Sequence, residues 1–185
     1  MPVSMPALGC DYFGASLHKW VGAPHGTGLL FVRKPAIADV WPLFATDDPR
    51  SADIRKFENI GTRPAAAFNG VVDALAIDQP SLSLRMERLA ALSRMTAARL
   101  QRLDGVALVG RPVGAILAIQ VKGVPPDRLA RRLREQANVL IGDASHPDIR
   151  GLRVSPGLTV RDRDIETFVD AFAAAIHAER SDAQK

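Results

Sequence analysis

"CDYFGASLHKWVGAPHGTGLLFVRK" (residues 10–34) contains a lysine, Lys19, that directly follows His18 and stands three residues after Ser16. Two apolar stretches flank it. "CDYF" (10–13) reads as a short buried strand. "GTGLLFVRK" (26–34) reads as a clearer one, with a glycine-rich entry, an apolar run and a charged exit. Lys19 therefore falls on the connection between two strands. Its residue type allows two readings. One is a surface lysine ahead of a strand. The other is a reactive amine, because imine formation needs a neutral lysine, and burial or a nearby cation supplies that state.

Downstream, Pro35 opens a short helix, "PAIADVWPLF", with proline in the first turn, where its missing N–H is harmless. "ATDDPRSADIRKFENIGTRP" (45–64) is polar and turn-rich, and loops of this length in compact domains are often functional. "AAAFNGVVDALAI" (65–77) is apolar on most faces, so the expectation is a buried helix, interrupted at Pro80. A second helix then spans 81–105, with Leu82, Met86, Leu89, Leu92, Met95 and Leu103 in helical spacing and Gly105 ending it. Its arginines, Arg88 and Arg99 among them, read as a solvated face.

Beyond Gly105 the periodicity changes. "VALVG" and "GAILAIQVKG" read as strands, "PPDRLARRLREQAN" as a helix with Asp127 near its start, "VLIGD" and "LRVSPGL" as strands. "VRDRDIETFVDAFAAAIHAE" closes the series as an amphipathic helix with Ile165, Phe168, Val169 and Phe172 on one face. Residues from about 80 onward thus predict an antiparallel or mixed sheet covered by helices. Residues 1–79 hold only two strands, which are marginal alone.

Composition bounds the rest. The chain has 185 residues, 47% hydrophobic and 24% charged, which suits packed cores rather than disorder. The net charge is +4 with no block of five or six like charges, so nucleic-acid binding is not expected. The single cysteine, Cys10, excludes an internal disulfide and a cysteine-based metal site, and fits a reducing, cytoplasmic setting. The opening "MPVSMPALG" has no basic n-region, and no run of about 18 apolar residues occurs, so neither a secretory signal nor a membrane span is expected.

The 10–34 stretch resembles the cofactor-lysine segment of class V pyridoxal-phosphate-dependent aminotransferases, a fold type I family that includes isopenicillin N epimerase-like enzymes and cysteine desulfurases. Cys10, Asp11, Tyr12, Phe13, Ser16, His18, Lys19, Gly26 and Gly28 carry the match. Leu17 departs from it, since a small residue is commoner there, and the "LHKW" form looks more like the epimerase-like branch. The resemblance implies that Lys19 forms the Schiff base with pyridoxal 5'-phosphate and then acts as base at the substrate Cα, with the cofactor ring as electron sink. It implies that Ser16 and His18 help hold the phosphate. His25, His146 and His177 match nothing and are expected on the surface or in a core.

Two further landmarks agree in order and spacing. In "FENIGTRP" (57–64), Gly61 and Thr62 match a Gly-Thr that in this family reaches across a dimer to the partner's cofactor phosphate, with Arg63 following. The alternative is Thr62 as the N-cap of the next helix. In "GLRVSPGLTV", Arg153 matches the arginine that pairs the substrate α-carboxylate, and Ser155 follows it. Thr159 and Val160 stand where the family more often has a Tyr-Asn pair. The resemblance covers roughly residues 8–178. It implies an α/β fold: the end of a large cofactor-binding domain with an incomplete sheet (1–79), then a small α+β domain (80–185). It further implies an amino-acid substrate and a homodimer.

A desulfurase needs a thiolate on the loop before the carboxylate-binding arginine. That loop here, "GDASHPDIRG", has no cysteine, and the thiol position falls near Ala144. Cys10 reads as a small buried apolar residue instead. Desulfuration is therefore disfavoured, and transamination, epimerisation and lyase chemistry stay open. The family's other cofactor contacts lie upstream of the lysine segment, so the chain looks like the C-terminal half of a longer enzyme. The competing expectation is a non-catalytic remnant, or a half-enzyme module that needs an N-terminal partner.

Overall fold

The computed structural model describes residues 3–112, 114–144 and 149–183, with backbone alone at Asp143. The expectation for His146 lies outside these residues. The chain divides into two compact units, residues 1–82 and 83–185.

The first unit opens with a single helical turn, α1 (Met5–Leu8), and an antiparallel hairpin, β1 (Tyr12–Ser16) and β2 (Gly28–Val32). Tyr12 pairs with Val32 and Ser16 with Gly28. The strand expected at 10–13 thus starts two residues later and runs on to Ser16. Asp11 closes the ladder from outside: its carbonyl accepts from Arg33 N–H at 2.7 Å, and its carboxylate pairs with the Arg33 guanidinium. At Gly28 a Cβ would stand 3.0 Å from the Ala15 carbonyl oxygen, so the close approach of the strands depends on glycine there.

The helix expected from Pro35 shrinks to a 3-10 turn, Lys34–Ala36, continued only by isolated i→i+3 bonds such as Val40 N–H to Ile37 O at 3.3 Å. Pro42 explains the stop: it has no N–H to donate and drives Trp41 toward extended backbone. The long loop is internally tied. Asp53 caps a second 3-10 turn, Ile54–Glu58, by accepting from Arg55 N–H, and Arg55 hydrogen-bonded to it pulls its carboxyl down from 3.8 to about 2. Lys56 is buried and donates to the Pro49 carbonyl at 2.9 Å, while Asn59 Nδ2 donates to Ala45 O at 3.0 Å.

A 36-residue helix follows, α2 (Ala65–Leu100), and it runs straight through Pro80. The predicted interruption is absent for a local reason. Pro80 leaves the Ala76 carbonyl without its backbone partner, and Ala76 is exposed, so that carbonyl can reach water. Next to it, the Ser81 hydroxyl donates to the carbonyls of Asp78 (3.2 Å) and Ile77 (3.4 Å). The expectation of a buried 65–77 segment also fails: Phe68, Val72, Leu75 and Ile77 are all exposed.

The second unit is a four-stranded antiparallel sheet of β3 (Val106–Leu108), β4 (Leu117–Val121), β5 (Gly142–Asp143) and β6 (Leu152–Val154), in the order β3-β4-β6-β5. Alternation aims Leu117, Ile119, Leu152 and Val154 into one core with Leu129 and Leu133 of α3 (Pro126–Ala137) and Phe168 and Phe172 of α4 (Asp162–Asp182). Leu92 and Leu100 of α2 are likewise fully buried. β5 is only two residues long, shorter than the predicted "VLIGD" strand. Arg88 and Arg99 do not form a solvated face. Arg88 pairs with Asp162 at 2.9 Å and donates to Val160 O, and Arg99 pairs with Glu166 at 2.7 Å, tying α2 to α4.

Candidate functional site

Ser16 ends β1, and Leu17 fastens the loop that follows. The Leu17 N–H donates to Thr27 O at 3.0 Å and its carbonyl accepts from Ala23 N–H at 3.2 Å. Its side chain is buried, which accounts for a large apolar residue where the family pattern has a small one. The loop between these staples carries His18 and Lys19. His18 is half-buried, while Ser16 and Lys19 are exposed.

The far side of the loop is a tight turn. Thr27 N–H donates to Pro24 O at 3.2 Å, closing a four-residue turn with Gly26 at φ +86°. Positive φ at the third position is the mark of a type II turn and calls for glycine, which supplies the physical reason for Gly26 in the motif. The buried Thr27 hydroxyl donates to the same Pro24 carbonyl at 2.7 Å.

His18 Nδ1 lies 3.2 Å from the Thr27 carbonyl oxygen. A carbonyl only accepts, so Nδ1 carries the proton and Nε2 is the ring atom left for a ligand. The His25 ring lies 4.9 Å from the His18 ring, centroid to centroid, at 34°. Sequence reasoning missed both Thr27 and His25. The signal for Thr27 was its place between the two motif glycines; His25 had none. A phosphate needs hydroxyl or imidazole donors and an aldehyde cofactor needs an amine. Ser16, His18 and Lys19 provide these within four residues, so the segment fits a phosphorylated aldehyde such as pyridoxal phosphate.

Gly61 and Thr62 lie between the 3-10 turn at Ile54–Glu58 and α2, both exposed, with Gly61 at φ +76°. Thr62 does not cap α2. Pro64 precedes the helix, and its carbonyl accepts from Ala67 N–H at 2.9 Å. Arg63 faces Glu58 at 3.9 Å.

Arg153, in the second unit, is the outward-facing residue of β6, between buried Leu152 and Val154. It is paired across the sheet with Ala118 and Gly142. Its guanidinium lies over Gly142, where a Cβ would come within 3.2–3.3 Å of Nη2 and Nε. Among the described residues no carboxylate pairs with it. Ala144, beside the missing thiol position, donates its N–H to Gly151 O at 2.9 Å. Among the described residues, no group of three or more His, Cys, Asp or Glu could hold a metal, and no helix is long and apolar enough to cross a membrane.

Comparison with known proteins agrees with this frame. The family model for class-V aminotransferases matches residues 1–168. A probable cysteine desulfurase from Pseudomonas aeruginosa is 32% identical over 188 residues, covering 89% of this chain and 45% of its own length. Among solved structures, a cystine C–S lyase in complex with cysteine persulfide superposes with a TM-score of 0.75 at 18% identity over 94% of this chain and 49% of its own. A cysteine desulfurase from Escherichia coli gives 0.77 at 18% over 96% and 49%. At that identity the likeness concerns the fold, which is that of pyridoxal-phosphate enzymes of fold type I. The chain spans about half the length of the relatives it matches. The match over most of its length nevertheless settles the assignment: the chain belongs to the aminotransferase class-V family.

Proposed function

We propose that this chain supplies the lysine-bearing share of a pyridoxal-phosphate site acting on an amino acid. The observation that carries the reading is the pinned loop of residues 17–27, which fixes the His18 tautomer one residue from Lys19. Bound pyridoxal phosphate supplies an electrophilic carbonyl and an electron-withdrawing ring. Lys19 offers the amine that holds the cofactor and the base that removes the substrate's Cα proton. Ser16 donates its hydroxyl to the phosphate, and His18, with Nδ1–H on Thr27 O, donates to it through a protonated Nε2. Gly61 and Thr62 approach the phosphate of a second copy, which makes the working form a homodimer. Arg153 binds the substrate carboxylate with its planar fork.

Reaction type follows from what the chain lacks and from what its relatives do. The named relatives include cysteine desulfurases. That chemistry needs a protein thiolate near the carboxylate arginine, and the only cysteine is Cys10, half-buried just before β1. Desulfuration through a protein thiol is therefore disfavoured. Transamination, epimerisation and lyase chemistry remain open.

A second reading rests on a separate observation. Among the described residues, 16 of the 19 exposed large hydrophobic side chains lie in residues 1–82, including Leu29 and Leu30 of β2 and Phe68, Val72 and Leu75 of α2. A two-stranded sheet and a helix with apolar sides in water suit a half-enzyme module that binds an N-terminal partner. On that reading residues 1–79 are the end of a large domain and 80–185 the small one. One experiment separates the two. Pyridoxal phosphate is added to the purified chain, reduced with borohydride, and the adduct mapped by mass spectrometry. Stoichiometric adduct on Lys19, lost in Lys19→Ala, supports the enzyme reading. Scattered labelling of surface lysines, unchanged by Lys19→Ala, rejects it for the isolated chain.

A further inference from the structure

We infer that His25 is a positioning residue for His18, a role that rests on His18 holding the phosphate as proposed above. Three observations converge on it. The His18 ring has two described neighbours that restrict it: the Thr27 carbonyl at Nδ1 and the His25 ring 4.9 Å away. The hydrogen bond fixes one ring atom but leaves the ring free to swing about that bond. A tilted ring at this distance is within the normal span of aromatic pairing and removes that freedom.

His25 is itself held. It occupies the second position of the Pro24–Thr27 turn, whose geometry is set by Gly26 at φ +86° and by two bonds from Thr27 to Pro24 O. The same residue, Thr27, thus supplies the acceptor for His18 and closes the turn that presents His25. The hydrogen bond and the ring contact together keep Nδ1–H on the Thr27 carbonyl and turn Nε2 away from the turn, where a second proton, on Nε2, is the one donated to a phosphate oxygen. His25 does not touch that ligand in this scheme; it acts through His18.

The test uses the full chain, labelled with 15N, and reads the His18 ring nitrogens by NMR. In the unsubstituted protein His18 shows a single Nδ1–H tautomer. His25→Ala gives a mixed tautomer, and His25→Phe, which keeps an aromatic face, restores the single one. If His18 keeps its tautomer in His25→Ala, or loses it equally in His25→Phe, the inference is overturned. If His25→Ala fails to fold, His25→Leu replaces it in the same comparison. Titration with pyridoxal phosphate and with inorganic phosphate provides the second readout. His25→Ala weakens binding of both roughly three- to tenfold, the range expected for an aromatic pair, and His25→Phe recovers it. A tautomer change with no change in phosphate affinity leaves the positioning role standing and rejects the phosphate role of His18.

Discussion

Asp164 shows how much one carboxylate can organise. It lies in the first turn of α4 and accepts from Arg161 N–H at 2.9 Å, while its own N–H donates to Arg161 O at 3.0 Å. The Arg161 side chain closes over the same carboxylate at 2.8–2.9 Å. Bonded to that guanidinium first and to the backbone second, the Asp164 carboxyl falls from 3.8 to about 2. The sign follows directly. A group whose folded value lies below its unfolded value stabilises the fold above pH 3.8 and loses that contribution as the pH drops through about 2. The side-chain carboxyl carbon of Asp164 should therefore titrate near pH 2 in the folded chain, and Asp164→Asn should remove that part of the acid-dependent loss of α4. A titration midpoint near 3.8 would contradict the contact. Glu179 is a different case. It is buried with Arg132 at 2.6 Å and Arg128 at 2.9 Å, which holds α3 to α4. Sequence spacing does not reveal these pairs, because the partners lie 47 residues or more apart.

Elements were legible where the pattern is short-range. "GAILAIQVKG" was read as a strand and contains β4, and of the face Ile165, Phe168, Val169 and Phe172 read from spacing in α4, all but the partly buried Val169 are buried. α2 was misread at Pro80 and across 65–77, since a proline's effect depends on whether the carbonyl four residues before it can reach water, and an apolar face does not say what covers it. Register at β4 and β6 depends on one glycine that spacing does not reveal. A Cβ on buried Gly151 would collide with the Ile119 carbonyl, which is backbone and cannot swing aside. Gly151→Ala should destabilise the second unit by about 1–3 kcal/mol, the usual cost of overpacking. Equilibrium denaturation with a sheet-sensitive probe checks this; an unchanged midpoint would show that β6 shifts without loss. On β6 such a shift also moves Arg153, so if Arg153 binds the carboxylate as proposed, that binding should weaken in the same variant.

The two units differ in how well they cover their own apolar surface. The second has one continuous core around Phe172, Leu117, Ile119 and Leu133, and Phe172→Ala should cost it about 3–5 kcal/mol by thermal or denaturant unfolding. The first holds most of the exposed large apolar side chains among the described residues. Amide exchange in 12–32 should therefore be faster than in 117–121 and 165–176, and should slow when a partner covers the hairpin. Equal protection of both units would refute the difference. By itself, the sequence determined the family and the amphipathic helices α3 and α4, because these rest on short motifs and local periodicity. Only the tertiary structure decided that Thr62 is free of the helix cap, that Arg88 and Arg99 bridge α2 and α4, and that His25 meets His18. It also decided which apolar faces are covered. Each of these depends on which residues the folded chain brings together, and hydrophobic spacing names an apolar face without naming what packs against it.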